Sequence, residues 1–142
     1  MFRCPKTGCV GAARPFLRDE TQIGFATADS DYLYWSSSFD IYRCRLSGCG
    51  DVPEVVAKNQ VADAPLRLQG DYLYWSSSAY DPSTGQQTPE QIFRASKDGS
   101  SPPTTLVATS LQATKSFTVF RDQLYFLDSR SHVRSCAVTG CG

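Results

Sequence analysis

Apolar and polar positions alternate along this chain in short bursts, each cut off by turn residues. In Tyr32-Leu33-Tyr34-Trp35 an extended backbone puts Tyr32 and Tyr34 on one side and Leu33 and Trp35 on the other, because successive side chains of a strand point to opposite faces. Both sides are apolar or aromatic, so a strand here needs cover on two faces. Around it the pattern predicts strands near 23–28, 31–37, 41–46 and 53–57, rich in aromatic and β-branched residues and bounded by Gly, Pro, Asp and Ser. Helical periodicity is not sustained anywhere. The expectation is an all-β chain.

The pattern repeats. Ser30-Asp31-Tyr32-Leu33-Tyr34-Trp35-Ser36-Ser37-Ser38 returns as Gly70-Asp71-Tyr72-Leu73-Tyr74-Trp75-Ser76-Ser77-Ser78, and more loosely as Asp122-Gln123-Leu124-Tyr125-Phe126-Leu127-Asp128. After each comes a second unit: Ile41-Tyr42-Arg43-Cys44, Ile92-Phe93-Arg94-Ala95 and Val133-Arg134-Ser135-Cys136, with Phe2-Arg3-Cys4 opening the chain. The glycines Gly8, Gly48, Gly99 and Gly140 follow at steps of 40, 51 and 41 residues. Four short antiparallel strands in roughly 40–45 residues make the period of a β-propeller blade. The expected organisation is a single partial propeller over 1–142: a partial blade at 1–20, a blade at 21–60, a blade at 61–110 with an insertion at 79–91, and a partial blade at 111–142. These four segments amount to about three four-stranded blades, an incomplete propeller or half of a six-bladed ring.

Leu-Tyr-Trp-Ser-Ser, followed by Ile-Phe-Arg-Ala-Ser-Lys-Asp-Gly-Ser and Thr-Leu-Val, resembles the YWTD repeat of LDL-receptor class B propellers, within the wider set of TolB-like six-bladed folds. Tyr34-Trp35, Tyr74-Trp75 and Tyr125-Phe126 stand at the signature aromatic pair. Ser37 and Ser77 occupy the place of the family's Asp, which Asp128 keeps. The Cys-containing version also resembles repeat proteins of a secreted or lipoprotein-type bacterial kind.

Composition narrows the function classes. Fourteen basic and fourteen acidic side chains give zero net charge in 142 residues, so general affinity for nucleic acid or anionic membranes is not expected. No apolar run is long enough for a spanning helix. Six cysteines form three Cys-x-x-x-Gly-Cys pairs, Cys4/Cys9, Cys44/Cys49 and Cys136/Cys141, and in the remaining copy both cysteines are lost together, to Ala95 and Ser100, while the glycine stays. Paired loss and hairpin spacing predict disulfides, favoured over zinc, because each pair would need a second pair nearby and His132 is the sole histidine. Disulfides imply an oxidising, extracytoplasmic compartment. No signal peptide stands at the start, and the opening within a third strand suggests a longer parent chain with further blades; the competing expectation is a homodimer that completes a six-bladed ring.

Residues found in every repeat are read as builders. Asp31, Asp71 and Asp122 are expected to serve turns, the aromatic pairs to pack, and Arg3, Arg43 and Arg94 to lay their stems across the sheet. The serines 36–38 and 76–78 lack a nucleophile-elbow context, and His132 is expected at a surface strand. The unshared feature is the insertion, thirteen residues from Ala79 to Gln91 where the preceding unit has Phe39 and Asp40. Its Tyr80, Asp81, Gln86, Gln87 and Glu90 form a candidate recognition loop. The expected function is noncatalytic: an extracytoplasmic binding or scaffold module recognising a protein, peptide or glycan, with no cofactor and no metal. The alternatives are a propeller-type hydrolase or lactonase with a metal at the central channel, and a fragment without independent function. Inner strands nearly bare of metal ligands (Ile23-Gly24-Phe25-Ala26, Leu66-Arg67-Leu68, Phe117-Thr118-Val119) weigh against the hydrolase.

Overall fold

The computed structural model describes residues 2–3, 14–17, 23–78, 80–81, 83–84, 86–87, 90–107 and 116–141. All regular structure among them is β. Sheet 1 runs β3 (Ala26–Ala28), β4 (Tyr32–Ser36), β5 (Ile41–Arg45), β6 (Glu54–Ala57) in simple antiparallel succession; sheet 2 does the same with β7 (Arg67–Gln69), β8 (Tyr72–Ser77), β11 (Gln91–Ser96) and β12 (Thr104–Val107). Sheet 3 has three strands, β13 (Phe117–Phe120), β14 (Gln123–Leu127) and β15 (Val133–Ala137). Two small hairpins complete the inventory, β1 (Phe2–Arg3) with β2 (Arg14–Pro15), and β9 (Tyr80–Asp81) with β10 (Gln86–Gln87).

The expected strands appear in their expected order, shorter at the ends. The first is trimmed to Ala26–Ala28, yet Gly24 N–H still donates to Ser36 O and Ser36 N–H to Phe25 O, so pairing runs past the regular strand. Registers repeat: Ile41 pairs with Ser36 as Ile92 does with Ser76 and Val133 with Leu127. Even the irregularity recurs, between Ile41 and Tyr42 and again between Ile92 and Phe93.

Two-faced strands are covered as their pattern demands. Tyr34, Ile41, Val56 and Ala57 of sheet 1 meet Leu66, Leu73, Trp75 and Ala95 around sheet 2. On the other side of sheet 2, Tyr74, Ile92, Leu106 and Val107 meet Phe117, Leu124 and Phe126 of sheet 3. The outer side of sheet 1, with Trp35 and Cys44, lies against Leu17. Trp35 and Trp75 are fully buried, each stacked on its neighbour in the next strand, Tyr42 and Phe93, at 5.8 Å. Truncating such a side chain costs about 3–5 kcal/mol, so Trp75 anchors the contact between sheets 1 and 2 and Trp35 the outer side of sheet 1. Sheet 2 lies between the others, and sheets 1 and 3 do not touch among the described residues, which leaves an open row.

Disulfides join Cys44 to Cys49 and Cys136 to Cys141; they are compatible with an extracytoplasmic location. The expected Cys4–Cys9 bridge lies outside the described residues. Each bridged turn carries a glycine at positive φ, Gly48 at 118° and Gly140 at 132°, whose N–H donates three residues back, to Arg45 O and Ala137 O. The cysteine-free copy makes the same turn: Gly99 has φ 73° and donates to Ser96 O. Ser101 Oγ lies 2.7 Å from Ser96 Oγ and accepts from Ser96 N–H. The cysteine-free turn is thus closed by hydrogen bonds one residue beyond the bridge positions Ala95 and Ser100.

Candidate functional site

Antiparallel succession sorts the loops into two ends. At one end, the β4–β5 loop meets the link from sheet 1 to sheet 2: Asn59 N–H donates to Asp40 Oδ1 and Gln60 N–H to Phe39 O. Gln60 Oε1 then accepts from Trp75 Nε1, and Asp63 Oδ2 from the N–H and hydroxyl of Ser78. The insertion belongs to this end. Tyr80 and Asp81 pair with Gln87 and Gln86 as a short hairpin, so the backbone of four of the five candidate loop residues is an ordered β-ribbon. The fifth, Glu90, turns inward, its carboxylate accepting from the hydroxyl of buried Ser76 at 2.5 Å.

At the opposite end lie the hairpin tips, and there sheets 1 and 2 enclose a polar cleft of about 430 Å³. It is built on a shared frame. Arg43 sets its guanidinium 4.6 Å from the centre of the Tyr32 ring and donates from Nη1 to Lys97 O across the sheet boundary. Arg94 repeats the arrangement, 4.5 Å over Tyr72 and donating to Val138 O of sheet 3. Arg43 and Arg94 lie across the sheet onto the Tyr32 and Tyr72 rings as expected, while the side chain of Arg3 lies outside the described residues; what spacing could not show is that the heads of Arg43 and Arg94 latch the next sheet. The recurring Asp acts through its main chain: Asp31, Asp71 and Asp122 accept at their carbonyls from Leu46, Lys97 and Val138 N–H. The side chain that ties the first turn is instead Asp29, whose Oδ1 accepts from Asp31 and Tyr32 N–H.

Asp29 is the electrostatic centre of the cleft. Its Oδ2 takes the Lys97 ammonium at 3.0 Å, from the neighbouring sheet, and the Tyr34 hydroxyl at 3.1 Å. Burial pushes this carboxyl up, but the two backbone N–H groups, Lys97 and Tyr34 outweigh it and hold it well below the usual carboxylate range. Burial and the Asp29 charge together push the Tyr34 hydroxyl up, so it stays a donor. At the rim stand Asp31, Asp71 and Asp98, all exposed. Among the described residues none of these three has a basic side chain within ion-pair distance, whereas Arg43 is paired with Glu54 and Lys97 with Asp29. The cleft thus carries uncompensated negative charge beside tyrosine edges. No group of three or more His, Cys, Asp or Glu among the described residues is spaced to hold a metal ion.

Register separates frame from cleft. Tyr34, Arg43 and Asp31 have counterparts Tyr74, Arg94 and Asp71, but Asp29 corresponds to Gln69, Ser96 to Ala137, Lys97 to Val138, Asp98 to Thr139 and Ser100 to Cys141. Asp29, Ser96, Lys97, Asp98 and Ser100 are the unshared polar groups of the cleft, set beside Asp31 and Asp71, which recur in every repeat. Sequence reasoning had placed uniqueness in the insertion alone; comparing repeats position by position would also have exposed Asp29 and Lys97. His132 is exposed and lies 3.5 Å from Asp128, away from the cleft. No protein-family model matches the chain, and no curated protein matches it.

Proposed function

We propose that this chain is a noncatalytic binding or scaffold module of YWTD-like β-propeller type, working outside the cytoplasm and recognising a protein, peptide or glycan through groups at the ends of its sheets. Support for radial placement comes from the first strands of the three sheets: β7 touches both β3 and β13, as inner strands around a common axis would. Support for binding rather than catalysis is the state of the cleft. Asp29 is saturated by four donors and stays ionised, which suits an anchor and not a proton-transferring group.

The carrying observation is the concentration of unshared polar residues in one cleft of an otherwise repeated frame. Its exposed, unpaired carboxylates favour a partner that presents a basic group. A labelled tetra-arginine peptide serves as probe: with fluorescence anisotropy, Asp31→Asn combined with Asp98→Asn is expected to weaken binding about tenfold at low salt. Equal binding by the double variant, or none by the parent protein, refutes the cleft as the recognition surface. The hydrolase reading predicts a calcium-dependent rise in melting temperature; the proposal expects none.

A further inference from the structure

Two neighbouring sheet boundaries offer an internal comparison. At each, an arginine of the third strand donates to a main-chain oxygen of the next hairpin tip, Arg43 to Lys97 O and Arg94 to Val138 O. The same tip residue donates its N–H to the recurring aspartate carbonyl, Lys97 to Asp71 and Val138 to Asp122. The side chains above these shared bonds differ. Asp29 and Lys97 meet at the first boundary, whereas Gln69 and Val138 hold the matching positions at the second. Sheets 2 and 3 are therefore seated without an ion pair at this place, so docking as such does not require one between sheets 1 and 2. Nor is that pair held strongly. The Asp29 and Lys97 side chains are 24% and 23% exposed, and an ion pair that water reaches on both partners stabilises little.

We propose that Lys97 is a built-in competitor: its ammonium occupies, on Asp29 Oδ2, the subsite that a lysine side chain of a bound peptide takes in the complex. The inference deepens the reading of the cleft as a recognition surface and rests on it. Lys97 is clamped through its N–H and its carbonyl, so its four-carbon stem can turn the ammonium out to water while both sheets stay seated. The acceptor left behind is preorganised. Asp29 Oδ1 stays fixed by the N–H groups of Asp31 and Tyr32, and the hydroxyl of buried Tyr34 still donates to Oδ2. With Oδ1 committed to the backbone, a single carboxylate oxygen serves the incoming cation. One acceptor suits the point charge of an ammonium, whereas a guanidinium fork gains most from two parallel bonds. The occupant in the free protein is itself a lysine, and the cleft of about 430 Å³ leaves room for a second stem beside it.

The test titrates labelled tetra-lysine and tetra-arginine peptides at low salt into the full chain and into Lys97→Met, which keeps the bulk of the stem and removes the ammonium. Tetra-lysine is expected to bind Lys97→Met about tenfold more tightly than the parent, and tetra-arginine less than about threefold more tightly. Adding Asp29→Asn is expected to abolish the tetra-lysine gain; the amide keeps an oxygen for the turn N–H groups, and thermal unfolding checks that both variants are folded. A readout without substitution is the Lys97 Nζ resonance of the parent protein, expected to move to the position of a free lysine at saturating tetra-lysine. Unchanged or weaker tetra-lysine binding by folded Lys97→Met, an equal gain for both peptides, or a Lys97 resonance that stays in place overturns the proposal. An equal gain would mark a general effect of net charge and not a subsite. If the parent binds neither peptide, the reading of the cleft itself fails, and the proposal with it.

Discussion

Asp128 shows how one carboxylate organises a turn. Its Oδ1 accepts from Arg130 and His132 N–H, and its Oδ2 from Arg134 Nε at 2.9 Å. The backbone bond from His132, with Arg134 and Arg130, outweighs burial and lowers its pKa to about 2. Ser37 holds the matching position in sheet 1 and does the same work at longer reach, accepting from Phe39 and Asp40 N–H at 3.4 Å. A depressed folded-state pKa contributes stability above the unfolded value and loses it as pH falls. Asp128→Ser is therefore expected to lower the melting temperature at pH 7, with the gap from the parent closing between about pH 4 and pH 2. A gap unchanged down to pH 2 contradicts this account. Glycines offer a paired comparison. A side chain at Gly99 meets both a positive φ and the Val55 carbonyl at 2.9 Å, whereas at Gly48 the φ is positive but the space is open. Gly99→Ala should cost about 2–3 kcal/mol and Gly48→Ala about 1 kcal/mol in urea unfolding, the difference measuring how closely the hairpin tip of sheet 2 rests on β6.

At the scale of the element, an aromatic stack joins the second and third strands of sheets 1 and 2, and a Gly turn follows the third strand in all three sheets, with a disulfide added across it in sheets 1 and 3. A bridge spanning so short a loop contributes about 2 kcal/mol through the unfolded state. Full reduction is expected to lower the melting temperature by roughly 4–8 °C per bridge while far-ultraviolet circular dichroism keeps its β signature; loss of the sheets on reduction would show that the turns of sheets 1 and 3 depend on their bridges. Strand order, the two-faced aromatic strands and the cysteine pairing at Cys44–Cys49 and Cys136–Cys141 were legible because repetition displayed them. That Asp29 and Lys97, each unshared among the repeats, pair with one another was not, since a contact spanning two sheets and 68 positions leaves no periodic trace. Nor were the acceptors of Arg43 and Arg94, because a main-chain carbonyl has the same identity at every residue.

For the whole molecule, stability is shared among neighbours. Sheet 2 has both faces buried, sheet 1 has its outer face against Leu17, and sheet 3 leaves Val133, Phe120 and Tyr125 in water. In a stack of this kind each interface adds its own term to the total, so the cleft variants, which leave the clusters around Trp35 and Trp75 untouched, can be read for binding alone. The latches have a further consequence. Arg43 and Arg94 grip main-chain oxygens, at a lysine in one tip and at a valine in the next. Docking is thereby indifferent to which side chains decorate those tips, so the tips can diversify under selection while neighbouring sheets remain seated, and novelty in this architecture accumulates at the rim without loosening the frame beneath it.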